Sequence, residues 1–154
     1  MLDTSFGPAP AQAARIAPTT RMEDESILRG TVHDPTARAM GGEAGHAGLF
    51  TTAHDLARYS RMILNGGELD GTRVLQTETV ELMSTVQTPE TIVARRGLGF
   101  DIDSPYAGPR GETFPRGSFG HSGWTGTSLW IDPFSRTTVI FLSNRNHPSG
   151  GNVL

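Results

Sequence analysis

Histidine and serine stand side by side at His121-Ser122-Gly123, with Gly120, Thr125 and Gly126 close by. A hydroxyl beside an imidazole suggests nucleophilic catalysis, in which a base takes the serine proton. The small neighbours suggest a second chemistry, a backbone edge open enough for a substrate to lie against it. The first does not survive its own geometry. Gly120-His121-Ser122 begins like the nucleophile elbow Gly-x-Ser-x-Gly, but position 124 is tryptophan and the elbow needs a strand-to-helix turn. Adjacent side chains on a strand also point to opposite faces, so His121 is poorly placed to serve Ser122. Other polar groupings carry less. His33-Asp34, His46 and His54-Asp55 match no metal-ligand spacing such as His-x-x-x-His, and no metal is expected. The glycines from Gly41 to Gly48 lack the Gly-Lys-Ser/Thr ending of a phosphate cradle. They read as a loop at a cleft rim.

Position on the chain gives the triplet its setting. Residues 1–26 carry Pro8, Pro10 and Pro18 without a sustained period and read as an extended arm. A short strand is expected over Ile27–Val32, then a glycine-rich loop from Ala39 to Phe50. Thr52 can cap a helix, Asp55 completes a capping box, and Leu56, Tyr59, Met62 and Ile63 recur at helical spacing before Gly66-Gly67. Leu69-Asp70-Gly71-Thr72 is a turn. A second helix is expected over Thr77–Val86, with Val80, Met83 and Leu82 inward. Strands follow at Gly97–Ile102, Phe119–Gly123, Thr125–Ile131 and Thr137–Ser143, with a turn at Asp132-Pro133-Phe134-Ser135. Trp124 and Trp130 sit on these runs and are assigned to packing, at the core or the cleft edge. Short turns between consecutive strands predict an antiparallel sheet with helices packed on it, an α+β arrangement.

Bulk properties narrow the function classes. The 154 residues suit one domain or part of one, and 36% hydrophobic residues with 19 glycines describe a loop-rich globular chain. A net charge of −3, with 13 scattered arginines, excludes a nucleic-acid footprint. The absence of cysteine rules out disulfides, zinc-thiolate sites and a thiol nucleophile, while leaving the compartment open. Val139–Leu142 is the longest apolar run, far short of the roughly 20 residues a transmembrane helix needs. MLDTSFGPAP has neither a basic n-region nor an apolar h-region, so no signal peptide is expected there.

GHSGWTGTSLWIDP followed by VIFLSNRNHP resembles the C-terminal sheet of the β-lactamase, penicillin-binding-protein and esterase superfamily of serine hydrolases. TVHDPTARAMGGEAGHAGLFTTAHDLARYSRMILNGG is similar to the preceding region in its class C-like and esterase branches, and Met1-Leu2-Asp3-Thr4-Ser5-Phe6 to the segment after the second catalytic motif. The resemblance implies a partial β-lactamase-like (transpeptidase-like) fold, with residues 1–154 as the C-terminal portion of a single domain. Within it, 1–50 would be arm and glycine-rich loop, 51–88 a helical segment and 95–145 antiparallel strands.

The family cleaves ester or amide bonds through an acyl-serine intermediate, without a cofactor. His121-Ser122-Gly123 would be the counterpart of its third motif, a Lys-Thr-Gly-like triplet in which histidine sometimes replaces lysine. The backbone N–H of Trp124 would be an oxyanion donor. The first two motifs are missing. Ser-x-x-Lys cannot exist in a sequence without lysine, and neither Tyr59-Ser60-Arg61 nor Tyr106-Ala107-Gly108 supplies Tyr-x-Asn. The expected substrate is a small ester, β-lactam or peptide, with the nucleophile supplied by an N-terminal half. The chain would then be incomplete at both ends, including past Gly150-Gly151-Asn152-Val153-Leu154. The family is often periplasmic or secreted. The rival readings are a non-catalytic module that keeps the cleft wall to bind a ligand, and one half of a split enzyme whose other half is separately encoded.

Overall fold

The computed structural model describes residues 1–150, so the segment from Gly151 to Leu154 lies outside the described residues. The chain divides into two compact units. The first comprises Met1–Asp55, Trp124–Gly126 and the chain from Leu142 onward; the second comprises Leu56–Gly123 and Thr127–Phe141. Among the described residues no helix is long and apolar enough to cross a membrane.

In the first unit the proline-rich arm is more structured than expected. Pro10–Arg15 forms a 3₁₀ helix, and β1 (Thr20–Arg21) pairs antiparallel with β2 (Ile27–Leu28). The strand expected to run to Val32 stops early, where Gly30 takes φ +70°. An unforeseen helix, α1 (Pro35–Ala39), starts where Asp34 accepts a hydrogen bond from the Ala37 N–H at 2.7 Å. Proline at the first helical position loses no needed donor there. Asp34 also takes His46 Nε2 at 3.0 Å, which gives this histidine a structural partner.

The strongest expected helix is α2 (Ala53–Leu64), capped by Thr52 Oγ1 accepting from the Asp55 N–H at 3.2 Å. Only that half of the capping box is realised. The buried Asp55 carboxylate instead accepts from the Asp3 N–H at 2.9 Å and Thr4 Oγ1 at 2.8 Å, which fastens the arm to the helix start.

The second unit holds the sheet. β3 (Glu68–Leu69) and β4 (Thr72–Arg73) form a hairpin around Asp70 and Gly71. Both turn residues have positive φ, as the tight two-residue turn requires. Helix α3 (Thr77–Ser84) ends two residues before the expected Val86, and Leu82 is exposed rather than inward. Five strands then follow in sequence order across one sheet: β5 (Arg95–Arg96), β6 (Asp101–Asp103), β7 (Phe119–Ser122), β8 (Thr127–Asp132) and β9 (Thr137–Leu142). Of the expected strand Gly97–Ile102 only Asp101 and Ile102 are in a strand, β6, since Gly99 takes φ +91° and a loop separates β5 from β6. Likewise β8 begins after Thr125 because Gly126 takes φ +105°. Met62, Ile63 and Val80 from the helices bury against Phe100, Ile102, Phe119 and Ile131 from the sheet. That single cluster is what the helical stripe and the alternating strands converge on, and it confirms helices packed on an antiparallel sheet.

The turn between β8 and β9 is held by Asp132, whose carboxylate accepts from the N–H groups of Phe134 and Ser135 and from the Ser135 hydroxyl. The Ser135 hydroxyl, and then the two backbone donors, hold its carboxyl below the ordinary value of 3.8 against the opposing effect of burial. At Asp55 burial is the largest single influence and pushes upward, but the Thr4 and Asp3 hydrogen bonds, with smaller charge effects, outweigh it and leave that carboxyl lowered too. A carboxyl depressed on folding stabilises the fold above its unfolded value, and that stability is lost as pH falls through the folded value. Urea midpoints should therefore drop between about pH 5 and pH 2, and Asp132→Asn should flatten the descent. A midpoint flat over that range in the parent chain would contradict the linkage.

Candidate active site

Strand β7 carries the triplet, and its two edges differ. Toward β8 it is paired along its length, with Phe119 opposite Ile131, Gly120 opposite Trp130, His121 opposite Leu129 and Ser122 opposite Ser128. The Gly123 N–H continues the ladder to the Thr127 carbonyl at 2.6 Å. Toward β6 the pairing is a single position, Asp101 opposite Gly120. Backbone groups of successive strand residues face alternate edges. The Gly123 N–H faces β8, so the N–H and C=O of Ser122 face the other edge, beyond the last β6 partner.

The glycines around it have structural causes. A Cβ on Gly120 would lie 2.1 Å from the Leu129 carbonyl oxygen and 2.7 Å from Cδ2 of the buried Trp130 ring. A Cβ on Gly123 would lie 2.4 Å from Thr127 Oγ1. Both keep β7 tight against β8.

His121 is half-exposed on the triplet. Its Nδ1 lies 2.6 Å from the Ser122 carbonyl oxygen, and its Nε2 lies 3.8 Å from Asp101 Oδ2. The imidazole is thus bonded to the backbone of Ser122 and not to its hydroxyl, so Ser122 has no base set against its Oγ from this residue. Asp101 was not foreseen as part of the site. It is fully buried, and its Oδ1 takes Arg96 Nη1 and Ser104 Oγ, each at 2.9 Å. The sequence signal was weak: aspartate is depleted in strands, but between Phe100 and Ile102 it fits a period-2 alternation and reads as a solvent-facing residue.

Trp124 belongs to the first unit, unlike the triplet. Its indole is 72% exposed, where packing was expected, and the Arg145 guanidinium lies 5.1 Å from the ring centroid. The turn beneath it is tied down by the Arg145 N–H on the Thr125 carbonyl at 2.9 Å and by Ser143 Oγ on the Gly126 carbonyl. Trp130, the other tryptophan, is 1% exposed. The first unit also has a cavity of about 270 Å³ lined by glycines together with Thr31, Val32, Arg38 and Phe50. The Arg38 guanidinium is directed at the Val32 and His33 carbonyls, which precede α1. Among the described residues no three histidine or carboxylate side chains gather as a metal-ligand set.

The sequence matches the Beta-lactamase family model over residues 1–153. A protein of Escherichia coli strain K12 named "Putative D-alanyl-D-alanine carboxypeptidase" is 37% identical over 125 residues, 79% of this chain and 28% of its own length. Its namesake in Salmonella gallinarum is 38% identical over the same shares. The chain therefore spans little more than a quarter of the length of these curated relatives. Among solved structures, a penicillin-binding protein homolog from Caulobacter crescentus superimposes on 96% of this chain and 43% of its own, with TM-score 0.62 and 22% identity. A family VIII carboxylesterase superimposes on 92% of this chain and 41% of its own, with TM-score 0.61 and 23% identity. At that identity the two structures establish a shared fold, the expected β-lactamase-like one. The family match spans nearly every residue from the arm to the last strand, and the chain belongs to the Beta-lactamase family.

Proposed function

We propose that this chain is the C-terminal portion of a single-domain serine hydrolase that cleaves ester or amide bonds through an acyl-serine intermediate, with His121-Ser122-Gly123 as its third motif. One observation carries the reading: the β7 edge at Ser122 lies past the single pairing with β6, so the Ser122 N–H can meet an extended substrate. The nucleophile comes from a segment outside this sequence, because Ser-x-x-Lys requires lysine and all 13 basic residues are arginine. The Trp124 N–H, by its place directly after the triplet, is the proposed oxyanion donor. Preorganised donors of that kind are worth roughly 10²–10³ in rate. The names of the curated relatives favour a peptide ending in D-alanine as substrate, with β-lactams and small esters as analogues of the same acyl chemistry.

The test is covalent labelling. The chain alone, exposed to a fluorescent β-lactam or an activated ester, should show no stoichiometric mass increase. Produced together with a segment bearing Ser-x-x-Lys and Tyr-x-Asn from a family member, it should form the adduct on that segment's serine. Labelling of the lone chain that disappears on Ser122→Ala would overturn the proposal. Ligand-induced thermal stabilisation without turnover in the combined protein would point instead to a binding module.

A further inference from the structure

We propose that the cavity of the first unit is a binding site for a small free carboxylate with a short apolar tail, such as butyrate, and that Arg38 is the residue that takes its charge. The cavity measures about 270 Å³, just under the roughly 300–1,000 Å³ of sites for drug-sized ligands, so its occupant is small. Its lining leaves the space open: a Cβ added at Gly7, Gly41 or Gly42 would meet nothing within 4 Å. The walls are nevertheless fixed. Ser5 and Phe50 exchange both backbone hydrogen bonds, at 3.0 and 2.9 Å, which sets the arm beside Phe50. The Gly41 and Gly42 N–H groups are bonded to the Arg38 and Ala37 carbonyls at the end of α1. Arg38 is the one charged residue of the lining. Its Nε donates to the Val32 carbonyl at 3.2 Å and its Nη2 to the His33 carbonyl at 2.8 Å, and among the described residues Nη1 has no acceptor. Two such bonds fix the guanidinium plane but leave its positive charge uncompensated, because a carbonyl is neutral. A carboxylate supplies the missing charge and accepts the remaining donors, in bonds roughly twice as strong as neutral ones. The buried Val32 and the Phe50 ring give a tail an apolar wall, which an inorganic anion would leave unused.

The site is independent of the hydrolase reading and is tested without turnover. Butyrate titrated into the ¹⁵N-labelled whole chain, at ionic strength held constant with sodium chloride, should give saturable shifts at the amides of Gly7, Gly30, Thr31, Gly41 and Phe50. A ligand of about six heavy atoms with one charged contact binds in roughly the millimolar range. Butyramide has the same shape without the charge and should bind at least about tenfold more weakly. Arg38→Gln should weaken butyrate by at least the same factor. Since Arg38 also holds two carbonyls, Thr31→Asp serves as a second variant that leaves it in place. A carboxylate added to the lining supplies the counter-charge from within, and butyrate binding should be lost. Acetylated triglycine carries the same carboxylate on a longer chain, and it should bind more weakly than butyrate because the cavity is too small to enclose it. The proposal is overturned if butyrate gives no saturable shifts at these amides or if butyramide binds as well. It is equally overturned if either variant, folded, binds butyrate as the parent does. Tighter binding of the peptide than of butyrate would overturn a free acid as the occupant. Should covalent labelling fail while butyrate still binds, the hydrolase reading falls and the carboxylate site stands.

Discussion

Trp130→Ala should destabilise the protein by about 3–5 kcal/mol, the range for truncating a large buried aromatic. The indole is 1% exposed, it lies over Gly120, and its neighbour on the strand, Ile131, is fully buried. Few marginally stable domains tolerate that, since native stability is typically about 5–15 kcal/mol in all. Trp130→Phe should cost much less than its lost volume suggests. The indole Nε1–H is buried without a partner, and phenylalanine keeps most of the apolar ring while removing the stranded donor. Urea midpoints at unchanged slope, read against the parent, rank the two. If phenylalanine proved as damaging as alanine, the indole N–H would have to be doing something the fold does not reveal. If both were mild, the packing over Gly120 would be far looser than its distances imply.

The two tryptophans illustrate what sequence reasoning reaches and where it stops. Trp124 and Trp130 are six residues apart on runs of similar composition, and packing was expected for both. One is buried and the other is 72% exposed, because the turn at Thr125-Gly126 ends one strand register and begins another. Periodicity is informative only within an element, so the position of a turn decides which face the next residue takes. The same limit shortened β8 at its start and left only the last two residues of the expected Gly97–Ile102 strand in β6. Helix α2 was legible because a capping threonine, an apolar stripe and a terminal glycine pair agreed with each other. Helix α1 was missed although Asp34-Pro35 is an N-cap followed by a first-turn proline, since five residues leave no periodicity to notice. At the candidate site, the triplet stood out by residue type alone. Asp101 did not, because its place there depends on burial and on a neighbour twenty residues away in the chain.

The two glycines on either side of His121-Ser122 should respond very differently to alanine. At Gly120 the new Cβ would meet a backbone carbonyl oxygen at 2.1 Å and the edge of a buried indole at 2.7 Å, neither of which can swing aside. At Gly123 it would meet the Thr127 hydroxyl at 2.4 Å, and a χ1 rotation moves that atom away. Overpacking a tight interior typically costs about 1–3 kcal/mol and occasionally more, so Gly120→Ala should reach or exceed the top of that range while Gly123→Ala falls well below it. The consequences for the site also differ. To relieve the Gly120 clash, β7 must separate from β8 or shift register, and a one-residue slip would turn every side chain of the strand to its other face, His121 included. Gly123→Ala leaves the ladder intact. In a form competent for acylation, Gly120→Ala should therefore lose labelling together with stability, and cooling should not restore it if the register has slipped. Amide exchange of the Phe119–Ser122 strand separates the two causes: protection retained in Gly120→Ala would show that β7 can absorb the methyl group, and the dependence of the triplet on that glycine would be wrong.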